Sequence, residues 1–480
     1  MVIKNISIVF ICFFIVIPFS LSYKNLRKLE INNNDNEIFL ITEEGFDFNS
    51  FNNKFNELSY ENLINNIRVN FEDKEIDLSE FGFTERNLSR RIKNITIKFN
   101  KTMTDCSYMF YNLTKVTEID LSKFDFSDVN NTSKMFAECK DLKSIYFPNN
   151  KIVAQIKDMN NMFYNCLSLT SVDLTKLEIS LVTNLESMFY NCKSLQYLNL
   201  ENIDTTNVIN ISSMFYECNS LLSINLKNFK TNNVSDMSYM FYNCKNLSEL
   251  NLSNFNTSNI ISLNSIFKGC DSLISLDLSN FNFNNVPLFN ELFNYLTFLK
   301  ILNLSNVHVF NENSDLSYLF HNNYNLEILD LSDVKLGNNK KINFMFYNCS
   351  KLEILNLTNF QFNDMINNDI FRGLDGLKFL ILNKAVINKT DLSFLFYGLN
   401  NLISLDLSEI KTNFIENISY MFYNCSKLEN LDLSYFNTSN VRNMLSIFEG
   451  CDSMISLDLS NWDFSNVNHP INIFNGLKLI

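Results

Sequence analysis

One period governs most of this chain. An apolar residue followed by phenylalanine recurs fifteen times, from Met109-Phe110 and Met135-Phe136 through Met240-Phe241 to Ile473-Phe474. Each copy follows the last by 25, 26 or 27 residues. A length of 480 residues would otherwise suggest several domains. Spacing this regular instead makes residues 101–480 one repeat array, in which a unit buries its apolar side only against its neighbours.

Each period divides into two halves. In the first, Val234, Met237, Met240, Phe241 and Cys244 fall at i, i+3, i+6, i+7 and i+10, which predicts one apolar stripe of a short helix. The second half reads L-x-x-L-x-L, as in Leu247, Leu250 and Leu252 or Leu428, Leu431 and Leu433. Its alternation predicts a short strand with one buried face. Asn-rich segments join the halves and take over the turn work of Gly and Pro, of which the chain has only 9 and 4. Stacked, such units predict an α/β solenoid. It would be a leucine-rich repeat array of about fifteen 26-residue units, with a parallel strand ladder on one face and short helices on the other.

Stretches such as MFYNCKNLSELNLSNFNTSNI and NLDLSYFNTSNVRNMLSIFEGCDSMISLDLSNWDFSNV carry the pattern in its fullest form. They resemble the BspA-like leucine-rich repeat surface proteins, over roughly residues 108–476. The resemblance implies a repeat solenoid that is secreted or surface-displayed. It also implies an adhesive role, since several members are implicated in adhesion to host proteins or other cells.

Outside the array the N-terminus reads as an address. Lys4 precedes an apolar run from Ile6 to Phe19, and Ser20 and Ser22 place small residues before a cut at Tyr23. Residues 1–22 are therefore read as a secretory signal peptide. The rival reading is an uncleaved anchor, but the run is short for about 30 Å of hydrocarbon and Pro18 interrupts it. Residues 23–100 lack the period and read as an N-terminal cap region, with an amphipathic helix expected over 51–67 and a strand at Ile95, Ile97 and Phe99. The last unit stops at Ile480 before completing a strand, so the expectation is either that the chain continues beyond it or that a partner or a second copy covers the edge.

Composition narrows the partners. Thirty-nine Lys and Arg stand against 52 Asp and Glu, a net charge of −13 without a long basic run, which argues against nucleic acid. The three histidines, His308, His321 and His469, are dispersed. There is no C-x-x-C pair, H-E-x-x-H, nucleophile elbow or phosphate loop, so nothing points to a metal, a cofactor or an enzyme. Nine of the cysteines sit three residues after the repeat Phe, a column that elsewhere accepts Leu. Buried free thiols are expected there in preference to bridges between coils, which a secreted chain would permit.

The outward columns supply the candidate sites. The middle residue of L-x-L is nearly always Asp or Asn, and Asp406, Asp432 and Asp458 would stack three carboxylates about 5 Å apart. They are read as a solvated polar strand face tied by Asn–Asp hydrogen bonds, in preference to a calcium site. Two residues earlier the outward position is polar in most units. In four consecutive units it reads Ile301, Ile328, Ile354 and Phe379, with Ile381 alongside. That apolar strip is the candidate partner-binding surface, the alternative being that β-branched residues merely suit strands. Tyr follows the repeat Phe at Tyr164, Tyr190, Tyr397 and Tyr423 among others. Lys268, Arg372 and Glu449 share that column and mark it as solvent-accessible.

The expectation is a non-enzymatic binding or adhesion protein at an extracellular or cell-surface location. It would present its repeat face to protein or glycan on host or neighbouring cells, with membrane contact only through the signal segment if uncleaved. The alternative is a structural coat protein that self-associates through its C-terminal edge.

Overall fold

The computed structural model describes residues 37–42, 64–71, 74–77, 94–99 and 102–477, the last stretch with internal gaps of eight residues or fewer. The expected signal segment 1–22 lies outside the described residues. Among the described residues no helix is long and apolar enough to cross a membrane.

Alternating leucines make each L-x-L a short strand, and the period sets successive strands side by side. The longest ladder is wholly parallel. It runs Ser275–Asp277, Ile301–Asn303, Ile328–Asp330, Ile354–Asn356, Phe379–Ile381, Ser404–Asp406, Asn430–Leu431 and Ser456–Leu457. Pairing is letter for letter: Leu276 faces Leu302, then Leu329, Leu355, Leu380 and Leu405 in turn. All six are buried.

The repeat phenylalanines form a second interior line. From Phe110 to Phe267 the rings stack nearly parallel with centroids between 5.1 and 6.2 Å apart. From Phe320 to Phe448 the separations are 5.5 to 6.3 Å. Burying each ring stabilises by about 1.5–3 kcal/mol, and each ring pair by roughly 0.5–1.5 kcal/mol more. Phe474, at 51% exposure, stands outside this spine.

The expected helices are absent from the described residues. In the segment around Met237–Cys244 the backbone N–H groups alternate between two tasks. Those of Tyr239, Phe241 and Asn243 donate to Asn264, Ile266 and Lys268 of the next coil at 2.9, 3.0 and 2.7 Å. Those of Met240, Tyr242 and Cys244 donate three residues back, to Met237, Tyr239 and Phe241. Tyr239 and Asn243 have φ of 58° and 55°, and equivalent positions flank the repeat Phe in most coils. A left-handed residue every fourth position breaks a right-handed helix. Successive three-residue turns return side chains to the interior at much the same spacing as a helix does, so periodicity alone could not separate them. The deciding quantity is width: a helix is about 10 Å across, whereas coils spaced like strands leave about 4.8 Å.

The number of units is corrected as well. The β-solenoid has about 12 turns of roughly 26 residues in place of fifteen. Regularity fails at the ends, where Val116–Lys123 joins a mixed sheet, antiparallel to Glu37–Thr42 and parallel to Ser144–Tyr146, and Phe474 is exposed. That sheet runs from Lys74–Asp77 through Ile64–Phe71, Asn94–Phe99 and Glu37–Thr42 to Val116–Lys123 and Ser144–Tyr146. Its strands cover the edge of the first coil, with Leu40 between Ile95 and Ile119. The strand expected around Ile95–Phe99 is present. The helix expected over 51–67 is corrected at its end, because Ile64–Phe71 is a strand. Ile67, Val69 and Phe71 alternate with period two and suit a strand better. Residues 51–63 lie outside the described residues.

Polar residues shape the corners. Within one coil Asp236, Asn251 and Asn256 each accept, through Oδ1, the N–H two residues on, at 2.8, 3.0 and 3.0 Å. These Asx turns are how Asn substitutes for Gly and Pro. The cysteine column has a role beyond volume. Cys244 Sγ donates to the carbonyl oxygen of Phe215 one coil earlier at 3.0 Å, and Cys270 to Phe241 at 3.1 Å. Asn323, in the same column, sends Nδ2 to the Phe293 oxygen at 3.1 Å. The ten described cysteines are free and buried.

Candidate binding surface

The strand ladder brings the apolar strip together. Ile301 pairs with Ile328, Ile328 with Ile354, and Ile354 with Phe379, so the four occupy one row across four coils. Ile381 lies in the adjacent row of the same face, between Asn356 and Asp406. Each of the five is partly exposed, because stacked neighbours cover its flanks while its tip meets solvent. Leu302, Leu329, Leu355 and Leu380 alternate with them and point into the core, so the backbone holds the strip rigidly.

Charge borders the strip on one side. The residues preceding it are Lys300, Glu327, Glu353 and Lys378, and the lysines reach the neighbouring glutamates at 2.7 Å in both pairs. The pairs are close to half exposed, so they add little stability but leave the rim polar and balanced. An apolar centre with a polar rim is the usual anatomy of a protein-binding patch.

The carboxylate row also serves the backbone. Asp406, Asp432 and Asp458 each accept the backbone N–H of Ser408, Ser434 or Ser460 at 2.9 Å. The N–H and hydroxyl of Ser460 hold Asp458 below the usual carboxylate range. These residues are corner-formers first. A coil-to-coil Asn–Asp bond in this column occurs between Asn303 and Asp277 at 3.1 Å. Among the described residues no group of three or more His, Cys, Asp or Glu is placed to hold a metal ion.

A further surface feature was only half visible in the sequence. The tyrosines after the repeat Phe stack on one another, as in Tyr164, Tyr190, Tyr216 and Tyr242 at 4.7, 4.4 and 4.6 Å. Burial, with help from Tyr190 and Tyr242, pushes the Tyr216 hydroxyl up to about 12. A second aromatic column, two residues before the Phe, went unnoticed. Tyr318 stacks on Phe344 at 5.5 Å and Phe394 on Tyr420 at 4.9 Å. The three-residue spacing between the columns was the available signal, since a turn of three puts both on one side.

Set beside known proteins, the chain matches five times the family described as Mycoplasma protein of unknown function, DUF285, over residues 50–170, 104–224, 220–314, 277–378 and 386–479. No curated protein matches it. Among solved structures, one that is similar is a chain in the structure of the Toll–Spatzle complex, described as a molecular hub in Drosophila development and innate immunity. The likeness has 17% identity and a TM-score of 0.33, covering 70% of this chain. The chain spans less than half of that relative, 46%.

Proposed function

The chain belongs to the DUF285 family, and from that starting point we propose that it is a non-enzymatic binding or adhesion protein held at the cell surface or outside the cell. The observation that carries this reading is the in-register row Ile301, Ile328, Ile354 and Phe379. A surface strip of that kind gains by being covered, and no folding requirement demands it, because Ser275 and Ser404 serve the same position on either side. Protein or glycan on host or neighbouring cells is the partner class, in keeping with the BspA-like leucine-rich repeat pattern. Location outside the cell rests on the secretory pattern of residues 1–22. The non-enzymatic reading is supported by the acidic strand-face residues, each of which accepts a backbone N–H through Oδ1 and so helps to shape a corner.

The test is capture of surface extracts by the immobilised chain, comparing the native protein with Ile328→Asp/Ile354→Asp. Loss of capture with a melting temperature within a few degrees of native is the expected result. Undiminished capture by the double variant overturns the reading. Light scattering separates it from a self-associating coat, since a monomer that captures a foreign ligand excludes the coat.

A further inference from the structure

We infer that the turn face of the coils built on Phe371 and Phe396 holds a second binding site, for a neutral carbohydrate ring. A cavity of about 420 Å³ opens there, lined by Asp369, Arg372, Gly373, Asp375, Phe394 and Tyr397 among others. Small-ligand pockets run from about 300 to 1,000 Å³.

The cavity exists because a ladder is interrupted. Two residues after the repeat Phe, most coils carry Asn or Glu, whose side chains bond from coil to coil. Asn191 reaches Asn165 at 2.6 Å and Asn348 reaches Asn322 at 3.1 Å. Gly373 and Gly398 occupy this left-handed position in two consecutive coils, with φ of 85° and 74°. A Cβ at Gly398 would meet nothing within 4 Å, and one at Gly373 only the Asn348 nitrogen at 3.5 Å. The contrast is Gly269 and Gly450, where a Cβ would run into the amide of Asn243 or Asn424 because the neighbouring side chain fills the gap. Only the first pair leaves open space.

The walls select the occupant. Phe394 and Tyr397 stack on Tyr420 and Tyr423 at 4.9 and 5.2 Å, and lie edge to face with each other at 5.6 Å. Both stacks end at this coil, because the preceding one carries Asp369 and Arg372 at the equivalent positions. The ring faces turned away from Tyr420 and Tyr423 therefore border the cavity, with Phe394 and Tyr397 44% and 49% exposed. Exposed ring faces take the C–H face of a pyranose, while Asp375 accepts from its hydroxyls and Arg372 donates to them. A cationic ligand is opposed by Arg372, and an anionic one by Asp369 and Asp375. An uncharged polyol satisfies all of them. This site is independent of the strand-face strip and stands or falls without it.

The experiment is saturation-transfer difference NMR on the full chain with methyl glycosides of neutral hexoses and N-acetylhexosamines. Transfer to the sugar C–H protons is expected in the native protein. It should weaken at least tenfold in Tyr397→Ala and vanish in Gly398→Asn, which installs the residue that Asn424 already carries at the equivalent position with φ of 60°. Arg372→Ala, at an exposed side chain, gives a second variant that leaves the core untouched, and a loss of about tenfold is expected. No transfer to any neutral glycoside overturns the proposal. So does equal transfer in Gly398→Asn, or a preference for tetramethylammonium or methyl sulfate probes.

Discussion

Two stretches of the solenoid share an interior and differ outside. Between Phe163 and Phe267 the tyrosine column is unbroken. Four tyrosines stack in succession and Lys268 closes the run over Tyr242 at 6.0 Å, while the strand face carries Ser171, Ser223, Glu249 and Ser275 with a single exposed aromatic, Tyr197, between the first two. Between Phe320 and Phe422 the strand face turns apolar, and Arg372 interrupts the aromatic column between Tyr347 and Tyr397. Yet Phe rings stack at 5.1 to 6.2 Å in the first stretch and 5.5 to 6.3 Å in the second. The interior fixes the fold in both. Only the outer columns are free to vary, so departures there are where binding is to be sought.

The sharpest way to break this comparison is at the shared interior. Phe241→Ala and Phe346→Ala should each destabilise by about 3–5 kcal/mol, and by similar amounts. Denaturant titration checks this, and a large inequality would mean the two interiors are not equivalent. A second effect should be larger in the first stretch, whose thiol column reads Cys166, Cys192, Cys218, Cys244 and Cys270, than in the second, where Cys349 stands among Asn323, Leu374 and Leu399. Burial pushes the Cys139, Cys270, Cys349 and Cys451 thiols up from 9.0 to about 12. A thiol held neutral in the fold but ionised when unfolded contributes stability that is complete below pH 9. That contribution is lost as pH climbs toward 12. Stability should therefore fall across that window. Cys270→Leu, which copies Leu374 and Leu399 of the second stretch, should flatten the fall in pH-dependent denaturation.

Smaller effects test the outer columns. Asp406→Ala removes an Asx turn and should cost about 1 kcal/mol, whereas Asp406→Asn, matching Asn303 and Asn356, should cost much less. Thermal melts of the two variants separate a corner-former from an electrostatic role. Smallest is Lys300→Met, since the exposed Lys300–Glu327 pair is worth less than about 1 kcal/mol. A larger loss would mean the rim braces the strip.

Much of this was legible in the letters. The period gave the parallel ladder and the buried Phe line, because a fixed repeat places equivalent residues together once coils stack. The same period places Ile301, Ile328, Ile354 and Phe379 in one row. The turns were misread as helices because Met237, Met240 and Cys244 satisfy both geometries, and only the spacing between coils separates them. The donor role of the thiols was hidden in a backbone oxygen that sequence does not display. The cavity at Gly373 and Gly398 needed the neighbouring side chains to be seen, since Gly269 looks the same in sequence and is filled by Asn243.

Register is what every column depends on, and methyl NMR reads it directly. In a chain labelled only at isoleucine δ1 methyls, cross-peaks should join Ile301 to Ile328 and Ile328 to Ile354, across 27 and 26 residues of sequence, with none between Ile301 and Ile354. Absence of both neighbouring cross-peaks, or their replacement by contacts to isoleucines at other positions of the repeat, would contradict the in-register solenoid.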